Sequence, residues 1–404
     1  MPDPISRRRF LGMAAGLSMA LTDTGLTAAS VSRQRWTATG AATPTSAPFD
    51  HAMQRFMQQH AVRAGSLSVL KDGRTVVHRA YTWAAADYAV TRPASLFRIA
   101  SCSKAFTCAA ITRLLAGGRL SRHDAVFPLL GITSPAFSQQ SPDPRINAIT
   151  VQDLVNHAGG WNDHGQVTAL DGTVIPSSGF DPVFRIREIA HALGLAVPPT
   201  KRQLAEYMYG EPLQFAPGTQ DYTSTHGASY SNFGYVLLGL VVEHVTGRSY
   251  PGYVRDAILV PLGIHDVYLA HTARERRLPG EVTYDDPGHG LSALRPASSR
   301  AVPAAYGGGD FLTETMDAGG GLAMTSFALA RFIHTYAVWG LGRRSTAAGT
   351  WQWARAGSMP GTTSLAVSRS NGIDYAYVFN SRTFPPDALN RLDATLDRLT
   401  NALR

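Results

Sequence analysis

Strand-like patterns at both ends of this 404-residue chain, with helical patterns and loops dominating residues 105 to about 345, restrict how it can fold. Near the N-terminus, Ser66 to Leu70 and Thr75 to Trp83 flank Asp72-Gly73; near the C-terminus, Ser364 to Val367 and Tyr375 to Asn380 flank Asn371-Gly372. Asp-Gly and Asn-Gly tolerate the left-handed backbone of a tight hairpin, so each end predicts a strand pair. Phe49 to Val62 has apolar residues at 49, 53, 56 and 57, the spacing of an amphipathic helix. From Asp387, Leu389, Leu392, Leu396, Leu399 and Leu403 form one apolar stripe of a terminal helix. The simplest assembly is an α+β fold (an α/β sandwich). One antiparallel sheet is built from the two terminal segments with helices laid on it, and a mostly helical region is inserted between them. The expected divisions are a sheet region at 49–104 and 346–404 and a helical region at 105–345, with a site in the cleft between them.

A hydrophobic content of 44% suffices for one large domain or two intimately connected ones. No segment approaches the roughly 18 consecutive apolar residues of a membrane span. The net charge of +8 rests on arginines scattered singly or in pairs without aromatic interleaving, a pattern that speaks against nucleic acid as a partner. The exception is Ser6-Arg7-Arg8-Arg9-Phe10-Leu11-Gly12, which leads into the mildly apolar run Leu11 to Leu21. It resembles a twin-arginine export signal, expected over residues 1–30 with cleavage between Thr27 and Ala42. Residues 31–48, rich in Ala, Thr, Ser and Pro from Thr37 onward, read as a flexible linker. These features imply a periplasmic or secreted protein.

Chemistry is suggested first by Phe97-Arg98-Ile99-Ala100-Ser101-Cys102-Ser103-Lys104. A serine hydroxyl becomes a nucleophile when a base takes its proton, and a neutral lysine one helical turn away can be that base. The chain contains a control at Ser68-Val69-Leu70-Lys71, which lies in a predicted strand. There, residues three apart point to opposite faces, so Ser68 and Lys71 cannot cooperate. Ser101 instead sits in the first turn of a helical run that stops at Gly117-Gly118, and in that first turn free backbone N–H groups and the helix dipole favour negative charge. On these residues alone, a capping serine and a catalytic one remain equally open.

Three further groups carry chemical potential. Tyr230-Ser231-Asn232 opens a buried helix pattern, where a tyrosine could shuttle a proton and an amide could bind a substrate carbonyl or the lysine. Arg355-Ala356-Gly357-Ser358 begins a strand-like stretch whose glycine would let the strand edge approach a substrate, and the Ser358 N–H could complete an oxyanion hole with that of Ser101. Taken alone, Arg355 reads better as a surface residue in a turn. Cys102 and Cys108, the only cysteines, lie about 9 Å apart on one helix, beyond the roughly 7 Å reach of a disulfide, and read as free thiols.

In this order, these elements resemble the serine β-lactamase-like and penicillin-binding family, class C type, which includes esterases and D-amino-acid peptidases. The resemblance extends from about Phe49 to Arg404. It also takes in Leu154 to Gly160, Phe215-Ala216-Pro217-Gly218, Glu243 to Tyr250, Pro261 to Ile264 and Gly319 to Leu322. It implies Ser101 as nucleophile, Lys104 as base, Tyr230 as proton relay, Asn232 as substrate contact, and the Ser101 and Ser358 amides as oxyanion hole beside Gly357. The departure is Arg355, where the family usually has Lys or His. Arginine does not exchange protons at ordinary pH; it binds carboxylates bidentately, and its charge would favour neutral Lys104 or deprotonated Tyr230. His157-Ala158-Gly159 mimics the missing motif but precedes Tyr230, and His157 is expected to be structural.

The chain lacks a Gly-x-Ser-x-Gly elbow, a His-Glu-x-x-His motif and a phosphate loop, while Asp163-His164 and His123-Asp124 are isolated pairs expected in turns. No cofactor and no metal are implied, and the expected partner is a small-molecule or peptide substrate. The expected function is an exported serine hydrolase acting through an acyl-enzyme on esters or D-amino-acid peptides. The alternatives are a β-lactamase or D,D-carboxypeptidase, and a non-hydrolytic cell-wall-binding relative.

Overall fold

The computed structural model describes residues 34–136, 141–163, 167–168, 174–175, 181–221, 229–342, 352–385 and 387–403. The expected export signal and His164 lie outside the described residues. The elements that place the site are, in chain order, β1 (Arg35–Thr39), α1 (Ala47–Gln59), β2 (Ala64–Lys71), β3 (Arg74–Ala84), β4 (Phe97–Arg98) and α2 (Ser103–Ala116). They continue with α3 (Asn232–Thr246), β5 (Val267–Leu269), β6 (Leu322–Met324), α4 (Ser326–Tyr336), β7 (Gln352–Met359), β8 (Thr362–Arg369), β9 (Ile373–Phe379) and α5 (Ala388–Asn401).

The two ends of the chain meet in one antiparallel sheet of order β1-β3-β2-β9-β8-β7, joined where β2 pairs with β9 at Leu67↔Tyr377 and Ser68↔Ala376. Alternation along the strands gives the sheet two buried faces. Leu67, Val69, Tyr377 and Phe379 pack against Phe49, Met53 and Phe56 of α1 and Leu392 and Leu396 of α5. Truncating either leucine to alanine would cost about 2–5 kcal/mol. The control pair behaves as strand geometry requires. Ser68 Oγ meets Ser326 Oγ of α4 at 2.8 Å, while Lys71 Nζ donates to Asn371 O on the opposite side.

Two expectations change. Part of the presumed linker at 31–48 is built into the sheet: β1 pairs with β3 from Arg35↔Ala84 to Thr39↔Ala80, and Trp36 stacks on Tyr81 with centroids 5.4 Å apart. The Ala/Thr-rich composition hides this, although Trp36 and Ala38 alternate inward and Thr39 Oγ1 donates to Thr91 O at 2.7 Å. The inserted region is also not wholly separate from the sheet, because α4 covers its second face. Small residues on neighbouring strands (Ser68, Ala376, Ala366) let that helix approach, and Ser66 Oγ meets Ser326 Oγ at 2.8 Å. Beyond α4, the strands β4, β6 and β5 form a second small sheet inside the mostly helical region. Apolar residues surround α3 on nearly all sides, marking it as the buried hub of that region.

Candidate active site

Strand β4 ends beside a sharp turn. Ala100 takes the left-handed conformation (φ 44°), a costly state for a non-glycine residue, and the 3-10 turn Ala100–Cys102 carries Ser101 to the entrance of α2. Ser101 thus stands one short turn ahead of the regular helix. Arg98, fully buried, braces the approach: it donates to Ala305 O and His271 O at 2.6 and 2.7 Å and lies over the Tyr284 ring.

Two polar groups converge on Ser101 Oγ. Lys104 Nζ lies 3.0 Å away and Tyr230 Oη donates from 2.8 Å. Lys104 is fully buried and also donates to Asn232 Oδ1 and Gly319 O, each at 2.7 Å. Burial, followed by the Arg355 cation, pushes its amine down to about 7, with Asp181 and Asp163 pulling in the opposite direction. A neutral amine carries two hydrogens and one lone pair; with Asn232 and Gly319 taking the hydrogens, the lone pair faces the serine. Tyr230 is held through its backbone, whose N–H donates to Asn162 Oδ1 at 3.1 Å and whose carbonyl accepts from Asp163 N at 2.7 Å. Ser231 caps α3, its Oγ accepting from Gly234 N, so that Asn232 starts the helix facing Lys104.

On the other flank runs β7, the edge of the large sheet. A Cβ at Gly357 would fall 3.0 Å from Ser101 N and closer still to Ile99 O and Ser364 Oγ, so only glycine lets this strand lie against the turn. Ser358, next along, is exposed and pairs with Thr363, and among the described residues no strand pairs with the outer edge of β7.

Arg355 departs from both sequence expectations. It is buried, its guanidinium lies 4.5 Å over the Trp339 ring, Nε donates to Val338 O at 2.9 Å, and Nη1 reaches Ser101 O at 3.5 Å. A bidentate grip on a substrate carboxylate is therefore not the geometry found, because the fork is turned inward under the serine turn. Cys102 is packed, donating to Arg355 O and accepting from Ser364 Oγ, both at 3.3 Å, and burial pushes its thiol up to about 11.

Sequence reasoning gave no part in the site to four residues that border it. Gly319 supplies a carbonyl to Lys104, a contact no side-chain motif reveals. His157 lies under Tyr230. Asp163, expected in a turn, is buried, and its Oδ2 accepts the Asn232 N–H; Asp181 accepts from Asn232 Nδ2 at 2.7 Å. Only the fold brings residues 163, 181 and 232 together. Among the described residues no group of His, Cys, Asp and Glu is arranged to hold a metal, and no helix is long and apolar enough to cross a membrane.

A family model described as "Beta-lactamase" matches residues 49–398. Protein flp of Staphylococcus aureus (strain NCTC 8325 / PS 47) is 25% identical over 275 residues, covering 66% of this chain and 46% of that protein. The chain thus aligns with less than half the length of this curated relative. Among solved structures, the D-amino acid amidase from Ochrobactrum anthropi SV3 superimposes with a TM-score of 0.56 at 18% identity, over 88% of this chain and 98% of that one. The octameric penicillin-binding protein homologue from Pyrococcus abyssi does so with a TM-score of 0.55 at 21% identity, over 88% of this chain and 78% of that one. At these identities the superpositions show a shared fold.

Proposed function

The chain belongs to the β-lactamase family, and on that premise we propose that it is a serine hydrolase forming an acyl-enzyme on Ser101. The observation that carries this reading is the convergence of Lys104 Nζ and Tyr230 Oη on Ser101 Oγ. Ser101 Oγ attacks the substrate carbonyl carbon while its proton passes to Lys104 Nζ. The carbonyl oxygen becomes an oxyanion held by the backbone N–H groups of Ser101 and Ser358. As the intermediate collapses, the proton moves from Lys104 through the Tyr230 hydroxyl to the departing oxygen or nitrogen, leaving an ester on Ser101. Water then attacks that ester, its proton returns through the same pair, and Ser101 leaves as the restored hydroxyl.

For substrate we propose esters or D-amino-acid amides and peptides ahead of β-lactams. The inward turn of Arg355 withdraws the cation that would meet a β-lactam carboxylate, and a protein of the same fold carries D-amino acid amidase in its name. Residues 1–30 are proposed to direct export. The hydrolase unit is taken to begin at β1, upstream of residue 49, since β1 belongs to the sheet.

Intact mass after exposure to a fluorophosphonate, with Ser101→Ala alongside, tests the nucleophile. One adduct on the wild type and none on the variant is expected; an unmodified wild type that also cleaves no nitrophenyl ester removes the enzyme reading. Turnover of D-phenylalanine amide or nitrophenyl esters without nitrocefin hydrolysis supports the substrate class, and faster nitrocefin hydrolysis reverses that order.

A further inference from the structure

Behind the Ser101 cluster lie two carboxyl groups that the proposed mechanism does not use. Asp163 is 6% exposed and Asp181 7%, and both bind Asn232. The Asn232 backbone N–H donates to Asp163 Oδ2, and its side-chain Nδ2 donates to Asp181 Oδ2 at 2.7 Å. Asp181 Oδ1 is occupied by Val183 N at 3.2 Å. Asp163 Oδ1 is buried with no hydrogen-bond partner among the described residues.

This arrangement decides the direction of an amide. A carboxylate accepts only, so the Asn232 NH₂ must face Asp181 and its oxygen must face Lys104. The opposite orientation would point an NH₂ at the Lys104 amine and leave the Asp181 carboxylate facing an oxygen. With the amide fixed, Asn232 Oδ1 and Gly319 O take two Lys104 hydrogens, and the remaining position on Nζ faces Ser101 Oγ at 3.0 Å.

We propose that Asp181 is a positioning residue for the Lys104 base, acting through the orientation of the Asn232 amide and through its own negative charge. The proposal rests on the reading of Ser101 as nucleophile and Lys104 as base. The titratable and charged groups facing Lys104 are Arg355 from β7, Cys102 from the turn, Cys108 on α2, Tyr230 and Tyr235 at and within α3, and the two aspartates; Arg185 faces Asp181. Burial pushes both carboxyls up, Asp163 well above the ordinary range and Asp181 to about 6, with the neighbouring Asp181 adding to the effect on Asp163. Asp163 therefore favours its neutral form more strongly than Asp181 does, and Asp181, raised only to about 6, carries its charge at neutral pH.

The test is the rate of fluorophosphonate labelling of the full chain across about pH 5 to 9, followed by intact mass. In Asp181→Asn, one amide cannot accept from both Val183 N and Asn232 Nδ2, so the Asn232 orientation is no longer enforced. The plateau rate is expected to fall about tenfold. The low-pH limb should move to lower pH, because an ammonium without the nearby anion loses its proton more readily. Asp181→Glu, which keeps the charge but displaces it, should leave the limb in place and lower the plateau less. A purely structural role would reduce the labelled fraction or the melting temperature without moving the limb. A folded Asp181→Asn with the limb and plateau of the wild type overturns the positioning role, as does an Asp181→Glu limb that shifts with that of Asp181→Asn. A wild type that takes no label removes the nucleophile reading itself, a different failure from wild-type labelling matched by the variants.

Discussion

The imidazole of His157 stacks on the ring of Tyr230, with centroids 4.4 Å apart and planes inclined by 21°. His157 holds this place in a left-handed backbone conformation (φ 59°), a strain of about 1–3 kcal/mol in a non-glycine residue, and its Nδ1 accepts the Ser231 N–H at 3.1 Å. The stack fixes the ring whose hydroxyl reaches Ser101, 2.8 Å away. Replacing His157 by Ala should lower kcat on a nitrophenyl ester about tenfold while KM changes less than twofold. His157→Asn tolerates the backbone and keeps an acceptor, so it should recover melting temperature but not kcat. If Asn restores both, the ring is packing only.

Lys104 acts as a base only when neutral, and its amine is pushed down to about 7 by burial and then by Arg355. Acylation should therefore rise as pH increases through about 7 and level off above it. Arg355→Gln removes a nearby cation, makes the ammonium less costly, and should move that limb upward by about one pH unit, equivalent to about 1.4 kcal/mol. Burst kinetics with a nitrophenyl ester reads the limb directly. A limb that stays put in a folded variant would assign the shift to burial alone.

Much of this was legible in the sequence because it depends on local periodicity. The hairpins at Asp72-Gly73 and Asn371-Gly372 and the stripe of leucines after Asp387 are properties of neighbouring residues, and the sharing of one sheet by the two ends follows once both must bury a common core. Ser101, Lys104, Tyr230 and Asn232 each sit in a short motif, and the fold brings all four together. What was not legible depends on contacts across the chain. The inward turn of Arg355 is set by Trp339 and Val338, and the burial of Asp163 by residues 69 positions away. The strand β1 was hidden by its Ala/Thr-rich surroundings, since only the Trp36–Tyr81 stack reveals which residues face inward.

The two buried carboxyls also predict a stability change. In the unfolded chain both ionise near the ordinary carboxyl value, about 4. In the folded chain burial raises Asp163 well above it and Asp181 to about 6. A raised carboxyl contributes stability that is complete below the unfolded value and is lost as pH rises through the folded one. Asp163→Asn removes the group with the larger upward push, so the variant should gain stability relative to the wild type as pH rises above about 4, the ordinary carboxyl value. Thermal melts of both proteins across that range would show it. A constant difference at all pH values would mean that Asp163 does not hold its proton in the fold.

Gly357 bears on the oxyanion hole without donating a bond from a side chain. A methyl group there would meet Ser101 N at 3.0 Å, with Ile99 O and Ser364 Oγ nearer, and these are backbone and buried atoms with little room to give. The relief open to Gly357→Ala is for β7 to move away from the serine turn, a motion its place at the sheet edge permits. That separates the Ser101 and Ser358 amides proposed to bind the oxyanion. Losing one such donor typically costs 10²–10³ in rate, about 2.7–4 kcal/mol, so kcat on esters should fall by that order. Binding should be affected less, because the oxyanion exists only after attack, and KM should stay within a few-fold of the wild type. Slow accumulation of the acyl-enzyme by intact mass would identify acylation as the damaged step. Wild-type turnover by a folded Gly357→Ala would show that β7 does not supply the second donor.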